Sequence, residues 1–448
     1  MSRQITPSNK ITLTDIQANA GHGGKLIFTD YQGQQAALLI RDNRLKAIQF
    51  LPEQQSKVGA VYIGKVKNAV RNLDAYFVEI GAKTREICFL SKKDAAYPFL
   101  LNRAYDGRIL EGDEFPVQVI KDAQKTKQPS VTTLISLSND YFAISVGETR
   151  TGYSNKFSPE EKKRLMKLME DPKWSLLPLK LPLQPDGSEK KLPVGMVVRT
   201  QAANPEDTQA LYDRFEQLSG RFFHLFESAL HRTCFSCLEA PKAPWQAVFE
   251  QLAYPYEYDE SLTDNALIYN CMLASDMLPG DKSLRLYDEL QSEQLPLSKL
   301  YGLESKIQGA LDRRVWLKSG GYLVIDQTEA LTAIDVNSGK YEAGKGTEEA
   351  FFRINMEAAE EIAIQLRLRN LSGIIIVDFI NMKEKAHQDK LLNAMRHFVN
   401  SDRQKTAIVD MTPLGLVEIT RKKGAKTLSE QIKQQERKPY HGTGIKAF

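Results

Sequence analysis

Two aspartates stand at the ends of two apolar runs. One run is Leu331-Thr332-Ala333-Ile334-Asp335-Val336-Asn337-Ser338-Gly339, and the other is Gly373-Ile374-Ile375-Ile376-Val377-Asp378-Phe379. Carboxylates converging at one sheet edge repel each other unless a cation lies between them, and Mg²⁺ suits such a pair. The alternative is that each Asp ends or caps its own strand. Asp410, closing Ala407-Ile408-Val409-Asp410, is a third acid of the same kind, ranked below the first two. Val197-Val198-Arg199-Thr200 ends in different chemistry. Arg can clamp a phosphate with a fork of donors and a neighbouring hydroxyl can add another, although a surface arginine needs no ligand. Cys234-Phe235-Ser236-Cys237 is a lone C-x-x-C, and a structural zinc normally asks for a second pair.

The elements that must position the two acids are legible around them. Phe351, Ile354, Ala358, Ile362 and Leu366 are spaced for one buried face of a helix starting near Thr347, with Glu357, Glu360 and Glu361 on a solvated face. Strand, helix, strand predicts a parallel pair with a right-handed crossover. Both acids then sit at carboxyl ends of strands, where ligands of open α/β sheets gather. Upstream, a helix is predicted from Tyr301 to about Val315, and the strand Tyr322–Asp326 follows a Gly320-Gly321 turn and pairs with the Asp335 strand. Downstream come a helix over 385–400 and strands over 407–410 and 416–420.

Earlier in the chain, short strands begin at Leu26, Ala36 and Leu45, with a turn at Asp42-Asn43. Strands over 61–66, 75–80, 87–90 and 114–120, with glycines at corners, predict a small barrel. Phe77 and Phe89, with Tyr62, mix there with Lys65, Lys67, Arg71, Lys83 and Arg85, ahead of a basic loop over 121–128. Aromatic faces can stack unpaired bases while Lys and Arg hold phosphates; the alternative is that the aromatics are barrel core. Val131–Val146 reads as two strands, Ser158-Pro159 as a helix start, 178–193 as a surface loop, and 204–232 as a long helix.

The 448 residues suggest roughly three domains. Hydrophobic content of 42% and charged content of 26% describe a globular chain rather than a disordered one. A net charge of +4 permits nucleic acid without demanding it. Four cysteines in so long a chain do not make a disulfide framework, which points to a reducing compartment. The polar start lacks the apolar core of a signal peptide, and no run is long enough to span a bilayer. A cytoplasmic, soluble protein with no membrane partner is expected.

The segments Ala333-Ile334-Asp335-Val336-Asn337-Ser338, Glu357–Ala363, Gln365–Gly373 and Ile376–Ile380 together resemble the catalytic core of the ribonuclease E/G family. Weaker likeness extends upstream through Tyr62–Lys65, Phe77–Ala82, Thr132–Leu137 and Val197–Thr200. The resemblance implies a multidomain α/β and β architecture: an arm at 1–24, a ribonuclease-H-like region split between 25–52 and 236–310, and an OB-fold RNA-binding barrel at 53–131. It further implies a 5′-sensor region at 132–235, a DNase-I-like catalytic domain at 311–432 and a tail at 433–448. The implied chemistry is endonucleolytic cleavage of single-stranded RNA, in mRNA turnover or rRNA maturation. Asp335 and Asp378 would hold Mg²⁺ and Asn337 would support them. Arg199, Thr200 and Lys405 would receive a 5′-monophosphate, and Phe77, Phe89, Lys65 and Lys127 would contact RNA.

The sequence departs from the family pattern at several points. The expected Cys-Pro-x-Cys zinc link is missing, because 421–448 contains no cysteine. A zinc link is therefore expected to be absent, which leaves a homodimer without a zinc bridge as one quaternary form. Lys405 stands in place of Arg and cannot make the same fork. Asn381 replaces an acid near the site, and two extra residues fall around Arg85 to Cys88. The alternative function is RNA binding with weak or lost nuclease activity, which the retained Asp335, Asn337 and Asp378 oppose.

Overall fold

The computed structural model describes residues 23–52, 55–123, 127–182, 190–203, 208–253, 258–275, 282–287, 295–339, 348–400, 402, 404–424 and 426–436. Most of the expected arm, the tail beyond 436 and the middle of the basic loop lie outside them. The chain divides into two compact units, one of 54–243 and one joining 1–53 to 244–448.

The discontinuous unit holds two sheets. In the first, Gly24–Tyr31, Gln34–Arg41 and Arg44–Phe50 are antiparallel neighbours. Glu260–Thr263 and Ser283–Leu286 then add in parallel beside Gly24–Tyr31. The Asp42-Asn43 turn has φ of 51° and 56°, the left-handed pair that a two-residue hairpin turn requires. The core of Ile27, Leu38, Ile48 and Leu262 continues into Leu303 and Ile307, and also into Leu428 and Ile432 of the last helix.

The second sheet has six strands, in the order Arg314–Trp316, Tyr322–Gln327, Leu331–Asn337, Gly373–Asp378, Leu416–Arg421, Thr406–Met411. The pair Leu331–Asn337 and Gly373–Asp378 is parallel, joined by the helix Glu348–Leu368. Along Leu331–Asn337, Thr332, Ile334 and Val336 are buried while Ala333 and Asp335 are exposed. This alternation turns one face toward the helices Glu348–Leu368 and Lys385–Asn400. Ile375, Val377, Ile362 and Leu391 meet there with no exposure, each worth about 1.5–3 kcal/mol of burial. The predicted helix from Tyr301 is shorter than expected, covering Leu303–Leu311. Asp312 turns extended, and Val315 and Trp316 pair with Leu323 and Tyr322 as an edge strand instead. A β-branched and an aromatic residue beside a hairpin favour the sheet.

In the 54–243 unit, Val61–Val70, Ala75–Ile80, Glu86–Ser91, Ser130–Thr132 and Glu114–Lys121 form a closed five-strand barrel, with the first strand pairing the last. Gly64 sits where the first strand passes the barrel interior, and a Cβ there would lie 2.5 Å from Val78 Cγ1. The stretch Val131–Val146 forms three short strands rather than two, because the chain changes sheet within it. Gln118 marks the crossing, donating from Nε2 to the Ser136 carbonyl and accepting from the Ser136 amide, both at 2.9 Å. Ser136–Ser138, Phe142–Val146, Val194–Val198 and Gly152–Tyr153 make a second sheet, packed by Phe215, Leu218 and Phe222 of the helix Thr208–His231. Ser158 and Glu161 form a reciprocal capping box at the expected helix start. Among the described residues, no helix is long and apolar enough to cross a membrane.

Candidate functional site

Asp335 and Asp378 are direct register partners on the adjacent parallel strands. Neighbouring strands lie about 4.8 Å apart, and register partners project from the same face. Both carboxylates are exposed on the face away from the helices. Among the described residues neither is in an ion pair. Asn337, two residues on and on the same face, donates its side-chain amide to Asp335 Oδ2 at 2.7 Å. This bond fixes one carboxylate oxygen and leaves the pair's charge uncompensated. The donor set is hard oxygen with two protein carboxylates, which fits Mg²⁺, an ion that keeps several waters and takes its remaining ligands from substrate phosphate.

Residues behind the sheet hold this edge in place. Asn355, with no exposure, sits on the core side of the helix Glu348–Leu368. It donates to the Ile380 carbonyl at 2.7 Å and accepts from the Ile380 amide at 3.1 Å, clamping the chain two residues past Asp378. Glu357, expected on a solvated face, instead accepts from the amides of Lys318 and Ser319, fixing the turn that enters the hairpin. Gly339 has φ of +64°, and any Cβ there would strike the Gly320 carbonyl oxygen. Sequence reasoning missed Asn355 and Glu357; the available signal was a polar Asn directly following Ile354 on a helix stripe made of apolar residues.

Asp410 does not join the pair. Its carboxylate accepts from the Met411 amide at 2.8 Å, and Leu416–Arg421 lies between its strand and that of Asp378. Among the described residues, no group of three or more His, Cys, Asp or Glu is placed to hold a metal. Cys237 opens a short strand paired to Tyr62, while Cys234 precedes it. Burial pushes the Cys234 thiol up to about 11 and raises Cys237 as well.

Phe77 and Phe89 are register partners on the outer face of the barrel, their rings 6.2 Å apart and edge-to-face. The barrel core is filled by Val66, Val78, Ile80, Cys88, Leu90, Phe115 and Val117, so these two rings are not core. Lys65 pairs with Glu114 at 3.1 Å, and Lys127 is exposed. In the sheet next in chain order, Arg199 is exposed and donates to the Asn139 carbonyl, and Thr200 shares a hydrogen bond with Ser154 Oγ at 2.9 Å. Lys405 is exposed beside the strand Thr406–Met411 of the other unit.

The model of the Ribonuclease E/G family matches residues 136–424. The chain belongs to the ribonuclease E/G family. It is similar to Ribonuclease G of Salmonella typhimurium, 31% identical over 410 residues, covering 86% of this chain and 77% of that protein. Ribonuclease G of Escherichia coli K12 is 31% identical over 402 residues, with the same coverage. Ribonuclease E of the same strain is 32% identical over 391 residues, but the match covers only 35% of it. As a ribonuclease E/G member this protein is an endoribonuclease, a hydrolase of RNA. Arg199, Thr200, Asp335, Asn337, Asp378 and Lys405 fall within the matched stretch, whereas Lys65, Phe77, Phe89 and Lys127 precede it.

Proposed function

We propose that this protein is a Mg²⁺-dependent endoribonuclease that cuts single-stranded RNA, in mRNA turnover or rRNA maturation, with stimulation by a 5′-monophosphate. The observation that carries the reading is the register match of Asp335 with Asp378, one of them steered by Asn337, in a chain of this family. Bound there, Mg²⁺ would supply Lewis-acid stabilisation at the scissile phosphate and an activated water, giving 5′-phosphate and 3′-hydroxyl products. The two carboxylates would hold the ion, and Asn337 holds one oxygen of Asp335 in place. The exposed setting of the pair supports an extended, unpaired strand as substrate, since a sheet surface offers no groove for a duplex.

Phe77 and Phe89 stack bases in this reading, while Lys65 and Lys127 neutralise phosphates. Arg199 and Thr200 receive the 5′-phosphate in this reading, which the outward position of Arg199 supports, and Lys405 would be a further phosphate-binding cation. The domain layout follows the resemblance: the five-strand barrel supports the OB-fold assignment, and the mixed sheet of 24–50 and 260–286 supports the split ribonuclease-H-like region. We place the enzyme in the cytoplasm, which four free thiols support. Its homodimer, if formed, would lack a zinc bridge.

The deciding experiment incubates purified protein with 5′-monophosphorylated single-stranded RNA and Mg²⁺. Cleavage is expected, abolished by chelation and by Asp378→Asn. RNA binding without cleavage would favour a decayed nuclease. Equal rates on 5′-monophosphate and 5′-triphosphate substrates would remove the sensor role of Arg199.

A further inference from the structure

The open face of the catalytic sheet carries an aromatic cluster whose nearer member, Tyr322, stands one strand from Asp335 and two from Asp378. Trp316 and Tyr322 are register partners, and Tyr322 is in turn the partner of Asn337. Their ring centroids are 5.2 Å apart at 58°. The Arg314 guanidinium lies 4.5 Å from the Tyr322 ring centroid and 5.6 Å from that of Trp316. Arg314, Trp316 and Tyr322 alternate onto the same face as Asp335, since Val324, the partner of Arg314, is also the partner of Asp335. The diagonal from Tyr322 to Asp335 is then about 7–8 Å. Trp316 is 56% exposed, unlike Trp174 at 1% and Trp245 at 7%. A large ring so exposed at a sheet edge gains little from folding.

We propose that Trp316, Tyr322 and Arg314 form a nucleobase subsite that stacks one unpaired base adjoining the scissile phosphate. The occupant is single-stranded RNA rather than a second copy of the chain. Two rings with an arginine plane among them suit a flat, electron-rich base beside a phosphate, and Asp335, one of the two acids that would hold the ion, lies on the strand next to that of Tyr322. Arg313, whose guanidinium is held by Asp326 at 2.5 and 2.6 Å, is already engaged, so Arg314 is the cation facing the rings. The subsite fixes the position of the strand across the acid pair and sets which base flanks the cut. This inference rests on the nuclease reading above.

Two measurements test it. In EDTA, where no cleavage occurs, tryptophan emission is followed as a single-stranded oligonucleotide is added. Quenching that disappears in Trp316→Phe and in Trp316→Ala is expected, because the other two tryptophans are buried. With Mg²⁺, Trp316→Ala is expected to raise KM about tenfold with little change in kcat, and Trp316→Phe to stay within about twofold of wild type. An abasic residue at one position flanking the cut should make the wild type behave like Trp316→Ala, which should itself be indifferent to it. Unchanged KM in Trp316→Ala, or emission that does not respond to RNA, would overturn the subsite. A change of oligomeric state in Trp316→Ala that accounts for the whole KM effect would overturn it in favour of a covered face. If no variant cleaves but the quench is present, the nuclease reading fails while the base-binding surface stands.

Discussion

The barrel pairs several of its carboxylates, whereas the sheet of Leu331–Asn337 and Gly373–Asp378 leaves two of its own side by side. In the barrel, Glu114 is paired with Lys65 at 3.1 Å, Glu86 with Lys57 at 2.6 Å, Glu79 with Lys67 at 3.4 Å, and Asp113 with Arg103 at 2.6 Å. In the sheet, Asp335 and Asp378 stand side by side with no basic partner among the described residues. The pairs of Glu114 and Glu86 are partly exposed and contribute under about 1 kcal/mol each, whereas the carboxylates of Glu79 and Asp113 are buried and need their partners. What the pairing does is give each of these carboxylates a fixed cationic neighbour. The sheet keeps its negative charge concentrated at one point. Adjacent like charges destabilise by an amount that a divalent cation can reverse. The same residue type is thus used for surface pairing in one unit and, in the proposed function, would hold an ion in the other.

The largest separation between the two is expected for the double variant Asp335→Asn, Asp378→Asn. Cleavage should fall by roughly 10³- to 10⁴-fold, about 4–5 kcal/mol of barrier. Its melting temperature without metal should stay level or rise, since repulsion is removed. Addition of Mg²⁺ should raise the melting temperature of the wild type and leave the variant unmoved; a Mg²⁺ response in both would break the contrast.

Next comes Arg421, where the sheet does use an ion pair, but for structure. It is 5% exposed and donates from Nε to Asp402 Oδ2 at 2.6 Å and from Nη1 to Asn370 Oδ1 at 2.8 Å and to the Leu371 carbonyl at 2.9 Å. Arg421→Ala strands a buried carboxylate and should cost about 3 kcal/mol or more in denaturant unfolding. Asn355→Leu should cost about 1–3 kcal/mol, because the Ile380 amide and carbonyl lose their partner. It should also lower kcat through displacement of Asp378 while KM changes little. A kcat equal to wild type would show that the clamp is structural alone.

The last effect, confined to alkaline pH, belongs to the barrel core. Burial pushes the Cys88 thiol up to about 12 from an ordinary value near 9. Below pH 9 both folded and unfolded chains keep the proton, and stability is intact. Between pH 9 and 12 the unfolded chain releases a proton that the folded chain retains, so stability falls with rising pH by up to about 1.4 kcal/mol per unit. Cys88→Ala should flatten that limb in unfolding titrations at pH 8 and pH 10.5.

Period-two and helical spacing carried much of this architecture. The runs ending at Asp335 and Asp378 were readable as apolar runs closed by an acid, with a helical stripe between them; the alternating burial of Thr332, Ile334 and Val336 appears only in the sheet. The helix 385–400 and the Ser158 cap were equally local and came out as expected. Events decided by distant partners were not readable. Val315-Trp316 has the same composition whether it ends a helix or joins a sheet, and only the hairpin beyond it decides. The change of sheet at Thr133–Ile135 depends on Gln118, and the role of Glu357 depends on a turn 38 residues earlier. Phe77, Phe89, Lys65 and the Arg199-Thr200 pair were singled out by residue type with the bland alternative left open, and family likeness added Lys127 and Lys405, since an exposed Arg199 or Lys405 has no local signature that separates a ligand from solvent.

The unit that carries the acids is interrupted in the chain, and this has a consequence during synthesis. Strands at 24–50 emerge first, but their parallel neighbour Glu260–Thr263 and the packing helix Leu303–Leu311 come only after the 54–243 unit has been made. At about 5–20 residues per second, the ribosome imposes a delay of roughly ten to forty seconds. For that interval Leu26, Ile27 and Phe28, fully buried in the finished protein, belong to a sheet edge with nothing to pair it. The inserted unit has that time to fold by itself, so the nascent chain would hold its barrel before it holds the sheet that carries the acids.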